Sequence, residues 1–140
     1  MLRRGCAWAV FAALFCLGCG PRNNPHFEKT TPVSGQVTLA NGSLLRGGLI
    51  TLHPKDGTKS ESRGTIGQDG RFTLGTYKVN DGAMPGQYTV TVEPIVYDKQ
   101  GNMRPDRSLG IPPKYTSADS SDLTVEIKDE ASQELNLVLC

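Results

Sequence analysis

The side chains suited to acid–base or nucleophilic chemistry are few in this 140-residue chain. Imidazole exchanges protons readily near neutral pH, and the sequence contains two histidines, His26 and His53. His26 lies in a polar, proline-containing stretch, and His53 ends a predicted strand with its side chain facing outward. No nucleophile-elbow, zinc-helix or phosphate-loop pattern occurs in the sequence. We therefore predict that the protein is not an enzyme, has no catalytic residues and uses no cofactor.

Acidic side chains are the next candidates, because hard cations such as Ca²⁺ prefer clustered oxygen ligands. Four aspartates lie in or near residues 97–121, a segment with little hydrophobic periodicity: Asp98, Asp106, Asp119 and Asp122. Their spacing matches no known cation-binding loop, and solvated acids are common in loops. We predict no metal site.

The segment 97–121 is also long for a loop in a compact domain, and such loops are usually functional or disordered. We select five of its side chains as a candidate contact loop: Tyr97, Asp98, Arg104, Asp106 and Arg107. The edge strands of the domain are the other surface that we expect to contact a partner, by strand addition.

The N-terminus has the layout of an export signal. Arg3 and Arg4 supply positive charge, and residues 7–17 form an apolar run too short to cross a bilayer of roughly 30 Å as a helix. Gly18 then precedes Cys19, and the whole segment resembles a bacterial lipoprotein signal, in which Cys19 becomes the first residue and is acylated. The alternatives are an ordinary secretory signal cut nearby and an uncleaved N-terminal anchor.

The predicted organisation is a signal peptide over residues 1–18, lipidated Cys19 and a flexible tether over residues 19–32, and one domain over residues 33–140. Two or three acyl chains make attachment effectively permanent, since each buried methylene contributes roughly 0.8 kcal/mol. Gly20 rather than aspartate follows Cys19. By resemblance to Gram-negative lipoproteins, this favours the outer membrane, so we expect a lipid-anchored protein of the cell envelope.

Cysteine usage agrees with this organisation. Cys6 and Cys16 leave with the signal, and Cys19 carries lipid, so Cys140 remains alone and no internal disulfide forms. The lipoprotein resemblance departs from the usual pattern at Cys16, where such signals normally have an aliphatic residue. Cys140 has the parity of the outward-facing residues of the last strand, and we predict that it faces outward.

The charge of the chain argues against nucleic acid as a partner. The formal net charge is +1, and without Arg3 and Arg4 the chain has 13 basic and 14 acidic side chains. A nucleic-acid-binding protein normally has a basic patch, and the sequence contains no such cluster. We predict no nucleic-acid partner, and we do not expect a small-molecule ligand.

From residue 33 onwards, apolar and polar residues alternate with the period of strands that are buried on one face. About seven short segments have this pattern: residues 33–39, 49–53, three segments between 64 and 93, residues 123–127 and residues 135–139. No segment after residue 20 has a helical period. The pattern predicts an all-β domain, a seven-stranded antiparallel β-sandwich.

The turn at residues 68–70 has a predictable register. A two-residue loop at Asp69 and Gly70 would leave Ile66 on the face opposite Phe72. A three-residue loop that begins at Gln68 places Ile66 opposite Phe72 with both side chains buried, which is worth roughly 2 kcal/mol. We predict the three-residue loop, with Gly70 at positive φ.

Five short motifs carry a resemblance that covers residues 33–139. They are Val33-Ser34-Gly35-Gln36-Val37, Leu45-Arg46-Gly47-Gly48 with Pro54 closing the strand, Gln68-Asp69-Gly70-Arg71-Phe72, Asp81-Gly82-Ala83-Met84-Pro85-Gly86-Gln87-Tyr88, and Ile111-Pro112-Pro113-Lys114-Tyr115. In this order, behind a lipoprotein signal, they resemble the small lipoproteins of planctomycete-type bacteria with a carboxypeptidase-regulatory-like, transthyretin-like (prealbumin-like) domain. The resemblance implies an Ig-like sandwich on a cell envelope and no established reaction.

Transthyretin-like domains include hydroxyisourate hydrolases, which rely on several histidines and arginines and on a Tyr-Arg-Gly-Ser tail. This chain has two histidines and ends in Leu137-Val138-Leu139-Cys140, so hydrolase activity is the least favoured function. Carbohydrate binding is the main alternative, although Trp8 leaves with the signal and only Tyr77, Tyr97 and Tyr115 remain as aromatic platforms. The resemblance implies that Tyr115 packs the loop onto the sandwich. We expect a non-catalytic envelope lipoprotein whose β-sandwich serves protein–protein contact or surface structure.

Overall fold

The structure, a computed structural model, describes residues 28–57 and 59–140. The predicted signal peptide, Cys19, His26 and most of the predicted tether lie outside the described residues. Nine strands occur within them: β1 (Val33–Leu39), β2 (Leu49–Pro54), β3 (Ser62–Thr65), β4 (Arg71–Thr73), β5 (Gly86–Glu93), β6 (Ile95–Tyr97), β7 (Met103–Pro105), β8 (Thr124–Ile127) and β9 (Gln133–Leu139). Two short 3-10 helices, Arg107–Leu109 and Pro113–Thr116, lie between β7 and β8.

The strands form two sheets and a separate ribbon. Strands β4, β1 and β9 form a three-stranded sheet, β3, β2, β5 and β8 form a four-stranded sheet, and β6 pairs with β7. One hydrophobic core contains side chains from both sheets, such as Val37 and Leu137 from the first and Ile50 and Val90 from the second. The predicted all-β sandwich is therefore confirmed.

Two finer features differ from the prediction. The described residues contain nine strands rather than seven, because β6 follows directly after β5, ending at Tyr97, and β7 lies within the segment 97–121 that was predicted to be a long loop. Strands β1 and β9 run parallel, whereas the other neighbouring strands are antiparallel. The chain crosses from the second sheet to the first between β8 and β9, so β9 enters beside β1 in the same direction.

Alternation along the strands builds the core as expected. Tyr88, Val90 and Val92 of β5 are fully buried, and burying an apolar side chain of this size contributes about 1.5–3 kcal/mol. The hydroxyl of Tyr88 donates to the Met84 carbonyl oxygen at 2.7 Å, so its one polar group is satisfied. Burial raises the pKa of Tyr88 to about 12, with a smaller contribution from the charge of Asp56, so the hydroxyl keeps its proton.

The turn between β3 and β4 has the predicted register. Gly70 has φ +77°, and its N–H donates to the Gly67 carbonyl oxygen at 3.0 Å. The Gly67 N–H donates to the Arg71 carbonyl oxygen at 2.8 Å, which closes the three-residue loop, and Ile66 and Phe72 are both buried. Beyond this turn β3 pairs with β2 while β4 pairs with β1, and Arg63 and Gly75 still exchange two backbone hydrogen bonds of 2.9 Å.

Among the described residues, no helix has the length and apolar character needed to cross a membrane.

Candidate contact surface

The predicted contact loop begins with an ordered ribbon, β6–β7, whose polar residues bind one another. The carboxylate of Asp98 accepts the backbone N–H groups of Gln100 and Asn102 and the Nε of Arg104, each at 2.9 Å. The hydrogen bond from the Asn102 backbone is the largest cause of a lowered pKa for Asp98, and Arg104 adds to it. Asp98 and Arg104 therefore hold the ribbon turn, and the Arg104 side chain remains 69% exposed.

Asp106 likewise has an internal role. Its carboxylate accepts the backbone N–H of Ser108 at 3.0 Å and caps the 3-10 helix that contains Arg107, and Gly110 ends that helix at φ +74°. Arg107 is exposed. Of the five side chains in the predicted contact loop, Tyr97 and Arg107 are exposed and take no part in the hydrogen bonds of the ribbon turn and the helix cap described above.

The four aspartates considered as metal ligands do not come together. Asp98 pairs with Arg104, and Asp122 pairs with Lys114 at 3.1 Å, which raises the pKa of that lysine. Within residues 28–57 and 59–140, no group of three or more His, Cys, Asp or Glu side chains is arranged to hold a metal ion.

His53 has two partners on the outer face of the four-stranded sheet. Its Nδ1 lies 2.9 Å from Glu61 Oε1, and its Nε2 lies 2.8 Å from the hydroxyl oxygen of Thr91. Glu61 also binds Arg63 at 3.0 Å, and that hydrogen bond is the largest cause of its lowered pKa. A hydroxyl, an imidazole and a carboxylate in this order are the parts of a nucleophilic triad. Thr91 is only 2% exposed, however, so its hydroxyl is closed to a substrate.

Two of the three candidate sugar-binding tyrosines lie in one depression. Tyr77 and Tyr97 line a space of about 670 Å³ at the edge of the sandwich beside β3, which we call the Tyr77–Tyr97 depression. Three apolar side chains border it with large exposed fractions: Val79 at 89%, Met103 at 56% and Tyr97 at 48%. Tyr115 is 3% exposed and belongs to the core, as the resemblance implied.

Strand β9 forms an open edge of the three-stranded sheet. The Leu137 carbonyl oxygen accepts the Thr38 hydroxyl at 3.4 Å, and the Gln133 N–H donates to the Pro32 carbonyl oxygen at 2.9 Å, so the odd-numbered backbone groups face β1. In a parallel ladder, a residue bonds to its neighbour strand through both N–H and C=O, and the next residue points both groups away. The outward groups belong to the even-numbered residues of β9: Glu134, Asn136 and Val138.

In the part of the chain that the structure describes, no backbone partner lies on the outer side of these three residues. The side chains of all three are also exposed. At the end of the edge, the Cys140 N–H donates to the Tyr115 hydroxyl oxygen at 3.2 Å. Cys140 itself is exposed, as predicted. The open edge therefore extends from Glu134 to Val138.

Comparison with known proteins assigns no family to the chain. No family model and no curated protein matches the chain. Among solved structures, the major pilin subunit of Bacillus cereus is similar over 78% of this chain, with 15% sequence identity and a TM-score of 0.44. The match covers 29% of the pilin chain. A likeness at this level assigns neither a family nor a function.

Proposed function

We propose that this protein is a non-catalytic lipoprotein of the cell envelope, anchored through Cys19, whose β-sandwich serves protein–protein contact. The signal pattern that ends at Cys19 supports the anchor. The residue after it is Gly20 rather than aspartate, which supports the outer membrane as the location. The ordered motifs of residues 33–115 support membership in the transthyretin-like lipoproteins of planctomycete-type bacteria. Closure of the Thr91 hydroxyl supports a function without catalysis.

The open edge of β9 is the observation that carries the contact function. It offers three N–H donors and three carbonyl acceptors in a row, and such an edge is a template for an added strand. β9 contains no proline, and its one charged side chain, Glu134, stands on the solvent face. Apart from this single charge, β9 lacks proline and further charges that would block an edge, so we infer that a partner protein adds an extended segment here.

The anchor is tested by membrane fractionation of the wild type and of Cys19→Ala. The wild type is expected in the membrane fraction after a high-salt wash, and Cys19→Ala in the soluble fraction of the envelope, because the substituted residue cannot accept acyl chains. Serine at position 16 is the matched control, since Cys16→Ser leaves the acceptor thiol intact. Recovery of Cys19→Ala with the membrane lipid would overturn the anchor.

The contact function is tested by Asn136→Pro. Proline at this position removes an outward N–H while the bonds between β9 and β1 remain, and its fixed φ is tolerated on edge strands. A photoreactive residue in place of Val138 is expected to cross-link a partner in cells, and the additional Asn136→Pro change is expected to abolish the adduct. Asn136→Ala keeps the N–H and should preserve it. Equal adduct yields from the Asn136→Pro and Asn136→Ala proteins would exclude strand addition. The absence of an adduct from the protein that has only the photoreactive residue would also exclude it.

Carbohydrate binding is a second candidate function, and one observation favours it. Tyr77 and Tyr97 are far apart in sequence, yet both line one depression on the surface. Saccharides are usually held on aromatic faces with polar groups around them, and this depression provides both. The two functions use different parts of the domain, the β9 edge and the β3 edge, so they can be tested separately.

A further inference from the structure

The walls of the Tyr77–Tyr97 depression are fixed by carboxylates outside it. Asp81 accepts the backbone N–H groups of Thr76, Tyr77 and Lys78 at 2.6, 3.1 and 2.9 Å, which holds the turn that carries the first tyrosine. On the other side, the hydrogen bonds of Asp98 described above hold the ribbon turn next to Tyr97. Both aromatic walls therefore stand on ordered turns, and a ligand would lose little free energy in arranging them.

The side chains that line the depression carry positive charge. Among the described residues, its lining includes two cations, Arg63 and Lys78, and no carboxylate. Arg63 is partly balanced by Glu61 at 3.0 Å, while the ammonium group of Lys78 has no ion pair or hydrogen bond within the described residues. An anionic group bound here would therefore meet one fully available cation and one shared cation.

Polar uncharged groups complete the lining. The Thr73 hydroxyl donates to the Asn80 side-chain oxygen, which orients the Asn80 amide and leaves its NH₂ donors for a ligand. Thr65 lines the same wall, and both threonines are exposed. Hydroxyl and amide groups beside two aromatic rings suit a ligand that has many hydroxyls and an apolar ring face.

A peptide strand is the other anionic ligand to consider, and the backbone disfavours it. The outer N–H and C=O of Arg63 on β3 are both bonded to Gly75, at 2.9 Å each, so this position cannot pair with an added strand. At Arg63, a ligand in the depression must then bind through side chains. This favours a saccharide, which needs ring stacking and hydroxyl contacts, over a peptide that needs a free edge.

We propose that the Tyr77–Tyr97 depression binds an acidic saccharide chain, with the sugar rings against the two tyrosines and a carboxylate near Lys78. This inference rests on the second candidate function, carbohydrate binding, and adds the charge class of the ligand and its site. It is independent of the β9 edge.

The experiment uses the full-length protein in detergent and three probes of equal length: an oligogalacturonate, a neutral galactan oligomer and a polyglutamate peptide. Calorimetric titration is expected to detect the oligogalacturonate, with affinity that falls as salt rises from 50 to 300 mM, roughly the range over which charges become screened. Tyr97→Ala is expected to weaken binding about tenfold, and Tyr97→Phe to retain it. Lys78→Ala should weaken binding and flatten the salt dependence.

Lys128→Ala is the matched control, because Lys128 is exposed, lies in the turn before β9 and does not line the depression. Binding of the galactan as strong as that of the oligogalacturonate would overturn the proposal that the saccharide is acidic, while carbohydrate binding would stand. Binding of polyglutamate as strong as that of the oligogalacturonate would overturn the proposal that the ligand is a saccharide. No binding of either saccharide would overturn this inference and the second candidate function together, and the cross-linking result at β9 would be unaffected.

Discussion

Gly82→Ala is expected to lower the free energy of unfolding by about 3 kcal/mol or more, the sum of backbone strain and a steric clash. Gly82 has φ +95°, and a Cβ there would lie 1.9 Å from the Thr31 carbonyl oxygen and 2.8 Å from the Cα of Pro32. Both contacts are with backbone. That backbone is held in place, because Thr31 and Ala83 exchange two N–H to C=O hydrogen bonds of 2.8 and 3.0 Å. The clash can be relieved only by breaking this bridge.

Gly42→Ala separates the two contributions. Gly42 has φ +85°, similar to that of Gly82, but a Cβ there meets no atom of the described residues within 4 Å. It should therefore show the strain alone, about 1–2 kcal/mol. Both variants are to be compared with the wild type by denaturant unfolding. Equal losses of stability would mean that the contact between Gly82 and Thr31 does not constrain the fold.

The alternation of apolar residues predicted most of the strand side chains that form the core. Period two identifies the core-facing side chains of β1 and β9 and the apolar ones of β5, which are long enough to show it. The register at Gly70 was also predictable, because only one loop length buries both Ile66 and Phe72. In each case the information is local, and the hydrophobic effect alone selects the outcome.

The pairing of strands was not predictable from the same pattern. Alternation says which face is buried but not which strand lies beside which, so the parallel pair of β1 and β9 has no local signal. The β6–β7 ribbon was missed because three-residue strands are too short to show a period. The sequence does contain a turn signal here, Asp98 followed by Gly101. In the structure, Asp98 accepts hydrogen bonds from the backbone N–H groups two and four residues further on, and Gly101 has φ +84°.

The candidate sites depend on tertiary contacts, and for this reason the sequence predicted them only in part. Tyr77 and Tyr97 come together because the connection between β4 and β5 and the β6–β7 ribbon lie at the same edge of the sandwich. Thr91 was expected on the polar face of β5, but nothing in the sequence indicated that its hydroxyl would be buried against His53.

Tyr115→Ala is expected to destabilise the sandwich by about 3–5 kcal/mol, the usual cost of truncating a buried aromatic side chain. The ring of Tyr115 packs in the core, and the Lys114 ammonium lies 4.9 Å from its centroid. Tyr115→Phe keeps this packing and removes only the hydroxyl, so it should cost about 1 kcal/mol. Denaturant unfolding of the two variants separates packing from hydrogen bonding. Equal destabilisation by both would show that the hydroxyl, rather than the ring, holds the C-terminal segment.

The hydroxyl of Tyr115 also sets the limit of the β9 edge. It accepts the Cys140 N–H at 3.2 Å and donates to the Cys140 carbonyl oxygen at 3.4 Å, so it occupies the outward groups that follow Val138 in the ladder. Tyr115→Phe frees both groups and lengthens the open edge by one residue. In a protein that is otherwise folded, hydrogen exchange of the Cys140 amide should then become faster, and the photo-cross-linked adduct at position 138 should be retained or increased. A smaller adduct would mean that the partner contacts the tyrosine hydroxyl itself, and that the contact is not made by strand addition alone.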